Sequence, residues 1–433
     1  MRCLTLIALL LLVSCGQSEN PAPKNVILLI GDGMGDAEIS LARNYQFDGG
    51  DGLFIDTMDL RGSVVVNALR DSDPNTLAFV GDSASGGTVL ATGKRTAVRR
   101  ISTTAKEGLP LKTIAEEAKE KGINVGLVTT AVITDATPAT FGAHVNNRYC
   151  MKPGDKTCGN DRSIIEQMLD LEIDVMLGGG DLLLPAINNG KTVEQMAKDK
   201  GYKIIRNREE LLSFNDKESK VWGIFSAYNM PVEWQNYNGT KAQKLALNEK
   251  NKIIFPTAQP CRENPNHKTM PTLEQMALTA LKRLSSNSDK GFFLMIEGAS
   301  IDKQAHMAMA CGVIGEMLSF DNTVKMAVDF AKKQGNTLVI VTADHGGPSQ
   351  NIHSPYYENY DRSAEQIPGL YEFLRSKGGN ELSGYYATNN ITDQAHTGIN
   401  VPIYSYGLKD DNTLRGTIKQ TQIKGVMAKY LFQ

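Results

Sequence analysis

Net charge is what this sequence most conspicuously lacks: 46 Lys and Arg stand against 48 Asp and Glu, leaving a formal charge of −2. A chain so balanced carries no basic footprint, which excludes nucleic acid as a partner and points to a small substrate. Long apolar runs are missing too. The run from Leu4 to Val13 falls far short of the ~20 residues a bilayer span needs, and no other segment is longer and equally apolar. Two nucleotide signatures are absent as well. In "TVLATGKR", Thr88 stands where a phosphate loop needs its first glycine, and Arg95 stands where Ser or Thr should follow Lys94. In "GDGMGD", Asp36 occupies the third glycine position of a dinucleotide fingerprint.

Cysteine is scarce, with six in 433 residues. Cys3 and Cys15 belong to an N-terminal segment with one arginine, a short apolar run and a small residue before Cys15, which reads as a secretory leader over 1–14. Leu12-Val13-Ser14-Cys15 resembles a bacterial lipobox, so Cys15 is expected to carry lipid, with 15–24 as a short linker. The chain is then exported, periplasmic or on the cell surface, and touches a membrane only through that lipid. Four cysteines remain and allow three pairings. Proximity favours Cys150 with Cys158, which leaves Cys261 with Cys311, in an oxidising compartment.

What the chain does contain is a set of Val-, Ile- and Leu-rich runs that each end in an acid. "NVILLIGD" ends at Asp32, "NVGLVTTAVITD" at Asp135, "GFFLMIE" at Glu297 and "NTLVIVTAD" at Asp344. Such runs are the buried strands of a parallel sheet, and amphipathic stretches lie between several of them. In "TLEQMALTALKRL", Thr272 and Gln275 form a capping box, and Leu273, Met276, Ala277, Ala280, Leu281 and Leu284 share one face. The expected fold is α/β, a doubly wound and mostly parallel sheet flanked by helices. Ligands bind beyond the carboxyl ends of such strands, so the four acids are expected to converge. Clustered, they must protonate or hold cations. Histidines favour cations: Asp302 and His306 are four apart, His345 follows Asp344, and His396 precedes another strand-like run. Because these residues run from Asp32 to His396, residues 25–433 are expected to form one catalytic domain. Stretches around 181–260 and 353–392 are read as insertions building a crown-like cap.

"GDSASGGTVLATG" places Ser83 among small residues, as a nucleophile at the mouth of a helix requires. Together with "NVILLIGDGMGDAEI", "TDATPATFGAHVNNRYC", "FFLMIEGASIDKQAH", "NTLVIVTADHG" and "AHTG", it closely resembles the bacterial alkaline phosphatases, in the family's order from about Asn25 to Gly398. The resemblance implies a phosphomonoesterase with two Zn²⁺ and one Mg²⁺. Asp302, His306 and His396 would hold one zinc, and Asp32, Asp344 and His345 the other. Asp32 would bridge to magnesium, whose other ligands would be Thr137 and Glu297, with Asp135 acting through water. Imidazole with carboxylate suits zinc, and an all-oxygen set suits magnesium. Ser83 would be the nucleophile, Arg148 the phosphate clamp and Asp82 its orienting partner. Lys303, matching the zinc, zinc, magnesium subtype, would reach phosphate through water. The resemblance further implies phosphate monoesters as substrates, inorganic phosphate as a product inhibitor and a homodimer.

A phosphodiesterase on the same metals and a non-catalytic metal-binding lipoprotein are the competing readings. A sulfatase would need a Cys-x-Pro-x-Arg motif, which is absent. His144, His267 and His353 are expected to have no ligand role. The aromatics Trp222, Phe225, Tyr228, Trp234 and Tyr237 are expected to pack at the surface. Gly86 and Gly87 depart from the family pattern and are expected to loosen their helix by roughly 1 kcal/mol each.

Overall fold

The computed structural model describes residues 24–250, 253–286, 289–348, 350–353, 369–408 and 412–433. The expected leader, Cys15 and most of the expected linker lie outside these. Ten strands build the central sheet: β1 (Asn25–Gly31), β2 (Leu60–Val65), β3 (Asn124–Val132), β4 (Val175–Gly179), β5 (Tyr202–Ile205), β6 (Lys220–Ile224), β7 (Phe292–Gly298), β8 (Thr337–Thr342), β9 (Val401–Tyr406) and β10 (Gly416–Lys419). Their order across the sheet is β10-β2-β9-β8-β1-β7-β3-β4-β6-β5. Only β9 runs against its neighbours, β2 and β8. Every residue of β1, β7 and β8 is buried, as a strand covered by helices on both faces requires.

Helices α1 (Asp36–Phe47), α2 (Ser83–Thr92), α3 (Ala136–Gly142), α4 (Leu273–Ser286), α5 (Ser300–His306) and α6 (Ala310–Gln334) include those that carry or support the site. The predicted capping box on α4 forms, with Gln275 N–H donating to Thr272 Oγ1 at 3.2 Å and Thr272 N–H to Gln275 Oε1 at 3.1 Å. Both expected disulfides, Cys150–Cys158 and Cys261–Cys311, are present.

Three expectations need correction. Residues 181–260 are not simply an insertion, because β5 and β6 within them extend the central sheet at one edge. Each strand is only four or five residues long and begins beside a lysine or glycine, which hides it from a search for long apolar runs. Trp222, on β6, is consequently fully buried rather than a surface aromatic, and Phe225 is buried beside it. Gly86 and Gly87 are not slack: a Cβ on Gly86 would lie 2.2 Å from the Asp344 carbonyl oxygen, and one on Gly87 2.8 Å from Thr140 Oγ1. Their missing side chains let α2 press against the loop after β8 and against α3, so the helix-propensity cost is offset by close packing. From 350 to 386, Gln350–His353, Leu370–Arg375 and Glu381–Tyr386 form a separate antiparallel sheet.

Candidate active site

Strand register delivers the acids to one edge. Ile30 of β1 is opposite Glu297 of β7 and Thr342 of β8, so Asp32, Glu297 and Asp344 emerge at nearly the same height. A tight turn follows β1. There Gly33 has φ +63°, its N–H donates to Asp344 Oδ1 at 3.1 Å, and a Cβ would lie 2.6 Å from Asp302 Oδ1. Glycine is therefore required at that position for the two acids to approach.

Ser83 is the first residue of α2, and Asp82 is its N-cap, accepting from Ser85 N–H at 3.0 Å. The serine is only 4% exposed. Its Oγ lies 3.2 Å from His345 Nε2 and 3.4 Å from Asp32 Oδ1. A buried hydroxyl at a helix N-terminus faces the positive end of the helix dipole, which favours an oxyanion.

The three site histidines are held the same way. The Nδ1 atoms of His306, His345 and His396 face the backbone carbonyls of Gln394, Gly346 and Gly81, the last two at 3.2 and 2.9 Å. A carbonyl only accepts, so in each neutral ring Nδ1 carries the proton and Nε2 is left with a bare lone pair. Those lone pairs converge. Nε2 of His306 is 2.8 Å from Nε2 of His396 and 3.2 Å from Asp302 Oδ2, and Nε2 of His345 is 3.2 Å from Asp32 Oδ1 and 3.5 Å from Asp344 Oδ2. Asp302 with His345 and His396, and Asp32 with Asp344 and His345, form compact groups able to hold a metal. His345 thus belongs to both, and its ring stacks on His396 with centroids 3.8 Å apart.

The remaining charges form a ladder. Asp135 caps α3 and accepts from Lys303 Nζ at 2.7 Å and from an Arg148 Nη at 3.0 Å. The other Nη of Arg148 reaches Asp82 at 3.2 Å. Burial alone would raise Asp135, but the Lys303 ammonium and the Arg148 guanidinium outweigh it and hold the carboxyl well below the usual range. Burial likewise opposes charge on Lys303 and Arg148, and Asp135 raises both above their ordinary values.

At Glu297 and Asp344 the opposing charges, Lys303 and His345 respectively, are outweighed. Burial, and then the nearby charge of Asp32, pushes each up to about 8. Buried oxygens of Asp302 (Oδ1), Asp344 (Oδ2) and Thr137 (Oγ1) have no hydrogen-bond partner. Unsatisfied buried oxygens, facing lone pairs and acids pushed toward protonation are what a cation would relieve, so the donor set fits metal binding. Among the described residues His306, expected beside Asp302 and His396, belongs to neither compact group, His345 taking its place there, and Asp135 and Glu297 also lie outside both. Glu297 Oε2 instead accepts from Thr129 Oγ1, and Asp135 is engaged by Lys303 and Arg148.

Sequence reasoning missed several contributors. Gln394 and Gly81 act through carbonyl oxygens, which leave no trace in residue type. Glu38 is buried, pushed up to about 8 by that burial, and accepts from Gly35 N–H at 2.8 Å. Its spacing from Gly35, three residues, was the signal available. Of the histidines given no ligand role, His144 is a structural link, with Nε2 2.8 Å from Glu116 Oε1 and Nδ1 2.8 Å from the Ser102 carbonyl.

Similarity to known proteins extends over most of the chain. A family model described as alkaline phosphatase matches residues 23–394. Alkaline phosphatase of Escherichia fergusonii is 40% identical over 425 residues, covering 94% of this chain and 85% of that protein. Streptomycin-6-phosphate phosphatase of Streptomyces griseus is 36% identical over 440 residues, covering 96% and 92%. Among solved structures, alkaline phosphatase from Thermus thermophilus superposes with a TM-score of 0.70 at 21% identity, covering 95% of this chain and 92% of that one. Alkaline phosphatase from the Antarctic bacterium TAB5 gives 0.68 at 24% identity, covering 95% and 98%. At those identities the structures speak for the fold, and the sequence relatives for the class, which is hydrolase. The chain belongs to the alkaline phosphatase family, whose reaction is hydrolysis of phosphate monoesters.

Proposed function

We propose that the protein cleaves phosphate monoesters by way of a phosphoserine on Ser83, at a site holding two zinc ions and one magnesium. The observation that carries this reading is the Ser83 hydroxyl, 3.2 Å from the His345 Nε2 and 3.4 Å from Asp32 Oδ1, with His345 shared between two groups of imidazole and buried carboxylate able to hold a metal. Asp302, His306 and His396 would hold one zinc; Asp32, Asp344 and His345 the other; and Asp32, Thr137 and Glu297, with Asp135 through water, the magnesium. Bound there, the metals would supply Lewis acidity toward hydroxyl and leaving oxygen.

Ser83 Oγ attacks phosphorus in line and gives up its proton to solvent. The P–O bond to the alcohol breaks, and the alkoxide leaves and is protonated by solvent. A water then attacks the phosphoserine and the P–Oγ bond breaks, releasing inorganic phosphate and restoring the hydroxyl. The N-terminal end of α2 stabilises charge on Oγ in both steps. Arg148 binds the non-bridging oxygens, Asp82 orients its fork, and Lys303 steadies Asp135 and reaches phosphate through water.

Rates on matched phenyl and diphenyl phosphates, together with metal analysis, test the reading. Strong preference for the monoester with about two zinc and one magnesium per chain is expected. Faster diester turnover would install a phosphodiesterase instead, and full activity after exhaustive metal removal would overturn the metal assignment. We further propose export with a lipid on Cys15, which Cys15→Ala should release from membranes with activity retained. We also infer a single catalytic domain over 25–433 and a homodimer, which sedimentation at micromolar protein concentration tests.

A further inference from the structure

Around the Arg148 clamp three basic side chains are committed. Lys303 serves Asp135, Arg148 bridges Asp82 and Asp135, and Arg100 is tied to Asp71. Arg99 is exposed, and among the described residues its guanidinium makes no ion pair or hydrogen bond. Its backbone, in contrast, is built into the site. Arg99 N–H donates to both oxygens of Asp82, at 3.2 and 3.1 Å, and its carbonyl accepts from Arg148 N–H at 2.8 Å. Those bonds need φ near +70°, the left-handed region, which costs a side-chain-bearing residue about 1–2 kcal/mol. Glycine would make the same backbone bonds without that cost. The backbone geometry therefore does not account for an arginine here.

We propose that the Arg99 guanidinium is a second anion contact at the mouth of the site. It selects phosphate monoesters whose leaving group carries a further anionic group, a carboxylate or a second phosphate, close to the scissile phosphate. This rests on the reading of Arg148 as the phosphate clamp, because Arg99 is joined through its backbone to Arg148 and to Asp82. An arginine fork can pair with two oxygens of either anion, and a contact this exposed weakens as salt is added.

The test compares 4-carboxyphenyl phosphate with 4-methylphenyl phosphate, on wild type and on Arg99→Gly, which keeps the left-handed backbone. The variant should lower the ratio of kcat/KM, charged over uncharged, about five- to tenfold, chiefly through KM. In wild type that ratio should shrink as ionic strength rises from low to about 0.5 M, and in the variant it should stay flat. An unchanged ratio, or a salt dependence that survives in Arg99→Gly, overturns the proposal. Wild-type turnover of 4-methylphenyl phosphate, which has no second charge, reports separately on the phosphomonoesterase reading: its absence would sink that reading first.

Discussion

Arg148→Ala gives a quantitative test of the clamp. The side chain is only 16% exposed and divides its fork between Asp82 at 3.2 Å and Asp135 at 3.0 Å. Removing one partner of a buried ion pair commonly costs 3–5 kcal/mol because the other charge is stranded. Here neither carboxylate is stranded. Asp82 keeps Ser85 N–H and Arg99 N–H, and Asp135 keeps Lys303 and Ala136 N–H. The stability loss should therefore be smaller, about 1–3 kcal/mol. The ligand loses its bidentate partner outright, worth about 2 kcal/mol, or roughly thirtyfold in affinity. Inhibition by inorganic phosphate should weaken by that factor, and kcat/KM for phenyl phosphate should fall at least as much. Diphenyl phosphate has one of the clamped oxygens capped by carbon, so its hydrolysis should change much less. Arg148→Lys should recover stability better than phosphate affinity, since an ammonium cannot span two oxygens. Unaltered phosphate inhibition in Arg148→Ala, or equal losses for both esters, would refute the clamp.

Other outcomes follow from the same geometry. Chelation should abolish activity and lower the melting temperature, because the buried acids at Asp32, Asp302 and Asp344 lose their counter-charge and the native state loses its bound ligands; an unchanged melting curve on metal removal would contradict this. Gly86→Ala should lower both melting temperature and kcat, since its Cβ would meet the Asp344 carbonyl at 2.2 Å, whereas Gly425→Ala, in the helix Ile423–Leu431 with nothing within 4 Å, should stabilise by about 0.4–1 kcal/mol. Equal effects in the two would rule out the packing argument. His144 is opposed by burial but raised overall by Glu116, so its contribution is fully present below the ordinary histidine value near 6.5 and is lost as pH rises through the raised one. The melting-temperature gap between wild type and His144→Gln should accordingly be wider at pH 5.5 than at pH 9.

Much of the site was legible because the fold converts one-dimensional features into proximity. Apolar runs ending in Asp32, Glu297 and Asp344 become neighbouring parallel strands, and parallel strands in register end together. Asp302 and His306 meet because they are four apart on α5. What stayed hidden depends on backbone and register. The carbonyls of Gly81 and Gln394 set the imidazole tautomers, yet any residue supplies a carbonyl. Strands β5 and β6 are too short for periodicity to reveal. Gly86 looked like a defect because helix propensity counts only local terms, while the contact that requires it comes from Asp344, far along the chain.

The central claim is covalent chemistry at Ser83, and trapping the intermediate tests it most directly. Wild-type protein mixed with excess inorganic phosphate or phenyl phosphate at mildly acidic pH, then quenched in acid and digested, should yield one phosphorylated peptide, modified on Ser83. Ser83→Ala should yield none and should lose turnover by orders of magnitude with its metal content nearly intact. Label on a different residue, or turnover persisting in Ser83→Ala, would contradict the account.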